Sequence, residues 1–254
     1  MRVHTADALI LRTYRYGEAD RIVVFLTEDR GKKRGVAKNA SKSRRRFGAA
    51  LESMTRGRVT YVERENRELV RLDRIEPGQT PLRSVAGRPA AEGAHALGHA
   101  SYFAELLDEW APENAANERL FRLGAAMSAG LGTSGSIDAL ARYFEYWLLK
   151  LEGVYPAIDR CAHCERPLDD GAVLDEREQA FVCRSCGHSG PAISRDALAF
   201  LRSLATRRPD DVAASAPPAA TLVELERAHR RLIAGHLDKD VRSARVVSEL
   251  RPRV

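Results

Sequence analysis

Apolar positions in the first 80 residues come in short clusters separated by polar turns. Ala8-Leu9-Ile10-Leu11 is one cluster, and Arg21-Ile22-Val23-Val24-Phe25-Leu26-Thr27 is a second, dense in β-branched residues. Asp29-Arg30-Gly31 has turn composition, and Gly35-Val36-Ala37 ends a third short strand. Arg58-Val59-Thr60-Tyr61-Val62 makes a fourth. Leu69-Val70-Arg71-Leu72-Asp73-Arg74-Ile75 makes a fifth, closed by Glu76-Pro77-Gly78. Runs of this length and composition read as strands. Five of them suggest a small barrel or a sandwich; an OB-type barrel is one solution, and strand count does not choose it.

The periodicity then changes. Residues 78–93 are rich in Gly, Pro and Ala and read as a linker. Beyond them Tyr102, Phe103, Leu106, Leu107 and Trp110 fall on one helical face, up to Pro112. Leu120, Phe121, Met127 and Leu131 mark a second helix. Ser136 is a candidate N-cap for a third, with Ile137, Leu140, Phe144, Trp147, Leu148 and Leu151 on one face and Gly153 past its end. These aromatics are expected in the core, with a partner groove made from a few of them as the alternative. Ser194 is expected to cap a helix carrying Leu198, Leu201 and Leu204. After a Pro/Ala loop at 206–220, Thr221 with Glu224 has capping-box spacing for a last long helix. His229 lies on the apolar side of that helix and is expected to be packed.

Charge sharpens the division. The 254 residues carry a formal net charge of +6, with 44% hydrophobic positions, enough for real cores. Residues 1–80 hold 19 basic and 11 acidic side chains, whereas residues 81–254 hold 22 and 24. The whole positive excess therefore sits in the first third, as expected of a nucleic-acid-binding module joined to something else. No apolar run is long enough to span a membrane, and the start lacks a signal-peptide pattern. The expectation is a cytoplasmic chain, where four cysteines are metal ligands or free thiols rather than disulfides.

Those cysteines form two pairs. Cys161-x-x-Cys164 is followed by Cys183-x-x-Cys186. Two residues between ligands let a tight turn aim both sulfurs at one ion, and two such turns complete a tetrahedron. The expectation is one structural Zn²⁺. A closed four-thiolate site has no open position for catalysis; its role is to fold a segment too small to fold alone. His163 and His188 flank the ligands as less favoured substitutes.

From Arg30 to Leu51 there are nine basic residues and no acidic one: Arg30, Lys32, Lys33, Arg34, Lys38, Lys42, Arg44, Arg45 and Arg46. Unbalanced charge over such a stretch repels itself unless a polyanion compensates it. Between strands, a flexible loop of this kind can wrap a phosphate backbone, giving sequence-independent, salt-sensitive binding. Phe47, Tyr14, Tyr16 and Tyr61 are candidates for stacking on bases, or for core. No Walker A loop, G-x-G-x-x-G, H-E-x-x-H or G-x-S-x-G occurs, and no acidic pair or histidine spacing suggests a catalyst. The chain is expected not to be an enzyme.

Several segments together resemble one family. Gly17-Glu18-Ala19-Asp20-Arg21, Phe25-Leu26-Thr27-Glu28 and Gly31-Lys32-Lys33-Arg34-Gly35-Val36-Ala37-Lys38 are similar to the N-terminal signature of RecO recombination-mediator proteins, as is the stretch from Ser43 to Glu52. Tyr102-Phe103-Ala104-Glu105-Leu106 and Arg142 to Leu149 resemble its helical segments, followed by Pro156 and the first cysteine pair. Asn39 departs from the family, where glycine is common, but Asn tolerates positive φ. The resemblance implies an α+β multidomain chain: a five-stranded OB-type β-barrel over 1–80, then an α-helical domain over 81–254 with an inserted four-cysteine zinc motif at 155–192. It implies binding of single- and double-stranded DNA and annealing of complementary strands. It also implies docking on the acidic C-terminal tail of the single-stranded-DNA-binding protein (SSB) and, with RecR, loading of RecA onto coated strands near the nucleoid. The four cysteines carry over one by one; the basic residues match only as a region. The competing readings are a generic zinc-ribbon module that binds RNA or DNA without annealing, a zinc-stabilised nuclease, and a scaffold with incidental DNA affinity.

Overall fold

The computed structural model describes residues 1–252 apart from Arg44, Arg45, Ala49, Asn66, Thr133, Ser134 and His188. Five strands open the chain: β1 (Arg2–Tyr16), β2 (Asp20–Thr27), β3 (Gly31–Ala37), β4 (Arg56–Glu63) and β5 (Val70–Gln79). Antiparallel pairing links β1 to β2, β2 to β3, β5 to β4 and β4 back to β1, and a short parallel pairing of β3 with β5 closes the ring. Closure in the order 1-2-3-5-4 is the OB arrangement. All five expected strands are present, several of them longer than expected. β1 serves two neighbours, pairing with β4 through its first half and β2 through its second, with a bulge between Ile10 and Arg12 that bends it around the barrel.

Pro77 does not end the fifth strand; β5 runs on to Gln79. The register shifts beside Pro77, where the missing N–H is tolerated. Opposite it stands Gly57, where a Cβ would lie 2.4 Å from the Glu76 carbonyl oxygen, so the two strands approach this closely only over glycine.

The barrel is filled by Ala8, Ile10, Val23, Phe25, Val59, Tyr61, Val70, Leu72 and Ile75. The stretch between β3 and β4, expected to be a flexible wrap, adds Ala40, Phe47 and Ala50 to the same core. Backbone bonds tie it down: Ile75 N–H donates to Arg46 O, and Met54 N–H to Ile10 O. Its apolar residues anchor it as a lid on one barrel end. Asn39 takes φ of 54°, as its side-chain type allows, and its N–H donates to Asp20 Oδ1 at 2.7 Å.

The chain divides into two compact units. The first is Met1–Thr133 with Val241–Val254; the second is Ser134–Asp240. In the first, α1 (Pro81–Ser84), capped by Thr80, occupies the expected linker. It leads to α2 (Ala90–Trp110), with Tyr102, Phe103, Leu106 and Leu107 buried. Next comes α3 (Glu118–Gly130), whose first turn is capped by Asn117. The second unit contains α4 (Ile137–Leu151), β6 (Ala172–Asp175), β7 (Ala180–Val182), β8 (Ala192–Ile193), α5 (Arg195–Leu204), α6 (Pro209–Ala214) and α7 (Ala219–Leu237). Ser136 and Ser194 cap α4 and α5, each accepting from the N–H three residues on at 3.2 Å. The expected box at Thr221 and Glu224 does not form, because α7 already starts at Ala219. Thr221 is buried within it, and Glu224 instead accepts the Ser194 N–H at 2.9 Å. The final helix, α8 (Arg242–Leu250), packs on α2 in the first unit.

His229 is packed, as its position on α7 suggests. Its Nε2 meets the Tyr155 hydroxyl and its Nδ1 meets Glu145 Oε2, both at 2.8 Å. Glu145 also accepts from Arg142 at 2.7 Å, and the Arg142, Glu145 and His229 side chains are buried. Burial is the main influence on the imidazole and holds its pKa below the usual value, against the raising effect of Glu145.

Candidate nucleic-acid interface and metal centre

The described basic residues of the 30–46 stretch do not share one surface. Arg30 and Lys38 flank β3 at opposite ends, roughly 26 Å apart at the usual rise of a strand. Lys32 and Lys33 are turned inward and are only 6% exposed each. Lys33 Nζ donates to Glu63 Oε1 at 2.8 Å. Lys32 Nζ donates to the Asp108 backbone oxygen and lies 3.4 Å from Asp108 Oδ1 and 3.5 Å from Glu113 Oε1. With carboxylates as partners, these two buried lysines tether elements of the first unit rather than face a phosphate. Arg34 is exposed but paired with Glu113 at 3.0 Å, and Arg30 lies 3.4 Å from Asp29. Arg46 is spent on the lid: it donates to Lys38 O and Ser43 Oγ and covers the Phe47 ring. Lys38 and Lys42 remain exposed. Arg44 and Arg45 lie outside the described residues.

The aromatic candidates separate in the same way. Phe47 and Tyr61 are core, whereas Tyr14 and Tyr16 are 44% and 50% exposed. Arg12 lies over the Tyr14 ring and donates to its hydroxyl, leaving Tyr16 as the more open face.

Tyr16 belongs to a groove of about 680 Å³. One wall is the β1–β2 turn (Tyr16, Asp20), the other the β4–β5 loop (Arg64, Arg67, Glu68), and the floor is Val36, Val62 and Val70 with Lys38 and Arg71 at its side. In OB barrels these two loops flank the face on which oligonucleotides lie. Exposed cations along the sides and an apolar floor with a free aromatic suit a single strand: phosphates meet the cations while bases stack. Arg71 is partly committed to Asp73, at 2.9 and 3.3 Å. Arg64, Arg67 and Arg71 were not among the sequence candidates, because their segment alternates basic and acidic residues and has no net excess to notice. The only available signal was their place beside a strand end in a five-strand pattern.

In the second unit the sulfurs of Cys161, Cys164, Cys183 and Cys186 lie within 4.8 Å of one another. Local turns place them. Glu165 N–H donates to Cys161 O at 3.0 Å, and Cys186 and Gly187 N–H donate to Cys183 O at 3.0 and 2.9 Å. Glu165 closes the first knuckle with φ of 58°. The short sheet β7-β6-β8 carries the second knuckle, and Ala162 N–H donates to Phe181 O, locking the two together. Cys164 and Cys183 Sγ atoms stand 3.7 Å apart, against about 3.8 Å for two thiolates at 2.3 Å from one tetrahedral zinc. Burial works against charge on Cys161, yet backbone N–H groups of Cys164, Cys183 and His163 outweigh it and lower its pKa. N–H donors lower Cys183 as well, while hydrogen bonding to the neighbouring sulfurs raises Cys186. Four sulfurs converging at this spacing suit a dication. The four residues fit zinc, which would supply a cross-link between the knuckles. His163 is turned to Glu178 at 2.7 Å and is not among the converging ligands; His188 lies outside the described residues. Among the described residues no helix is long and apolar enough to cross a membrane.

Known proteins resemble this chain in sequence across its length. The family model for the recombination protein O N terminal matches residues 1–80, and that for its C terminal matches residues 92–245. A DNA repair protein RecO of Koribacter versatilis is 34% identical over 96% of this chain and 98% of its own length. That of Geobacter metallireducens is 33% identical over 97% of each. That of Geobacter sulfurreducens is 36% identical over 80% of this chain and 81% of its own length. The family models divide the chain near residue 80, at the end of the barrel, while its compact units divide at Thr133, because α1–α3 pack with the barrel. With an OB barrel, a helical C-terminal part and cysteines set for a metal, the chain belongs to the RecO family of DNA repair and recombination proteins.

Proposed function

We propose that this chain is a non-enzymatic recombination mediator that holds single-stranded DNA in the Tyr16–Arg67 groove and anneals it to a complementary strand. The observation that supports this most is the groove itself: cations on its sides, an open aromatic, and barrel loops at each wall. Annealing makes and breaks no covalent bond. Two strands repel through their phosphates, and a basic surface lowers that repulsion while base edges stay free to pair. Double-stranded DNA would meet the exposed cations outside the groove, Lys42 among them.

In this reading one Zn²⁺ on Cys161, Cys164, Cys183 and Cys186 is structural. The partners are the acidic tail of SSB, which brings the surface to coated strands, and RecR, with which the chain helps RecA load. The setting is the cytoplasm, at the nucleoid. The test is annealing of complementary strands precoated with the cognate SSB, across a range of salt. The expected result is salt-sensitive annealing that is lost when the coating protein lacks its acidic tail. A zinc-loaded, folded protein that binds structured RNA and anneals nothing would replace this reading with a generic nucleic-acid-binding module. Loss of substrate integrity in magnesium would replace it with a nuclease.

A further inference from the structure

The four thiols converge on one point but differ in their access to water. Cys161 is 1% exposed, Cys183 and Cys186 are half-buried, and Cys164 is exposed. Cys164 also lies 3.7 Å from Cys183, a sulfur of the other knuckle. Cys161, its partner within the first knuckle, is held inside by two backbone bonds, its N–H to Arg166 O and its carbonyl to Glu165 N–H.

We propose that Cys164 and Cys183 form an oxidation site, at which a hydroperoxide joins the two knuckles as a disulfide and releases zinc. The proposal rests on the zinc reading given above. Thiolates are the reactive form, and attack follows exposure. The Cys164 thiolate attacks one peroxide oxygen. An S–O bond forms, the O–O bond breaks, and the departing oxygen takes a proton and leaves as water, or as an alcohol from an organic hydroperoxide. The Cys183 thiolate then attacks the Cys164 sulfur. The S–S bond forms, the S–O bond breaks, and the second oxygen takes a proton and leaves as water. Two thiolates lose two electrons, the peroxide gains two, and two protons are consumed. Zinc keeps its oxidation state and leaves because two of its four ligands are gone.

The geometry makes this reversible. The new bond joins the two knuckles where the metal joined them, so β6 and β7 need not separate. As zinc leaves, Cys161 and Cys186 each take up one further proton from water and remain as thiols, ready to complete the site when a dithiol reductant and zinc return.

The experiment uses the full chain with its metal content measured first. It is treated with graded hydrogen peroxide. Zinc release is followed with a chromogenic chelator, and disulfides are mapped in peptides without reduction. The expected result is one zinc released per disulfide formed, a Cys164–Cys183 peptide as the first product, and recovery with dithiothreitol and zinc. A first disulfide within either C-x-x-C pair, oxidation past the disulfide to sulfinate before zinc leaves, or zinc retained through complete peroxide turnover would each overturn the proposal. A chain purified without zinc would remove the zinc reading instead, and the peptide map would still decide the pair.

Discussion

Replacing Arg64 and Arg67 together by alanine removes two exposed cations from one wall of the groove. Each can neutralise one phosphate. For single strands the slope of log affinity against log salt is about −0.7 per neutralised phosphate, so the double variant should flatten it by about 1.4. Across a fourfold rise in salt that is roughly a sevenfold smaller loss of affinity. Neither side chain is buried, so stability should change by less than about 0.5 kcal/mol. The assay is fluorescence anisotropy with a labelled oligothymidylate at several salt concentrations, alongside thermal melting. The comparison is Lys32→Met with Lys33→Met, which removes two equal charges that point inward. It should cost about 1–3 kcal/mol of stability, read as a lower melting temperature, and leave the slope where it was. A groove variant with the parental slope, or a Lys32/Lys33 variant that flattens it equally, would refute the assignment of the binding face.

Three further outcomes follow from other parts of the chain. Tyr16→Ala should weaken single-strand binding by about 1–3 kcal/mol with unchanged melting, whereas Phe47→Ala should cost about 3–5 kcal/mol of stability, read by denaturant titration. Glu145→Ala removes the buried carboxylate shared by Arg142 and His229, leaving them Glu226 and the Tyr155 hydroxyl, and should cost about 3 kcal/mol or more, again by denaturant titration. Acid should loosen the first unit. The Lys33 ammonium, bonded to Glu63, holds that carboxyl below its usual range. Burial works against charge on Glu105, but the Ser243 hydroxyl and the N–H groups of Ser243 and Arg242 outweigh it and lower its pKa too. A lowered native pKa contributes stability above the unfolded value, about 4.3 for Glu, and that stability drains as pH falls through the native values. Melting between pH 6 and pH 3 should show this decline, and Glu105→Gln should reduce it.

The strands were legible because each carries its own local signal, an apolar run between turn residues. The caps at Ser136 and Ser194 were legible for the same reason, and so were the two cysteine knuckles, whose spacing is local. What sequence could not reveal is partnership over distance. Lys32 and Lys33 read as surface charge because the carboxylates that neutralise them, Glu63, Asp108 and Glu113, lie some 30 to 80 positions away. The lid was misread as free loop because nine positive charges masked the few small and aromatic residues that anchor it. The groove arginines were missed because Arg64, Glu65, Arg67 and Glu68 average to neutrality along the chain, and only folding sets the arginines beside Tyr16 and Lys38. The α7 start was misplaced because Thr221 and Glu224 have the right spacing but Pro218 begins the helix first.

The return of α8 to α2 makes the first unit discontinuous in sequence. Val247 and Leu250 lie against Gly98, and Glu105 on α2 receives the first N–H groups of α8. On the ribosome, the barrel and α1–α3 must therefore wait, with one face of α2 uncovered, while the 107 residues of Ser134–Asp240 are made. The second unit is an insertion that can finish folding before its host does. A protease cut within residues 206–208 would leave both fragments holding a share of the first unit, so the nicked chain should stay together on a sizing column and separate only in denaturant.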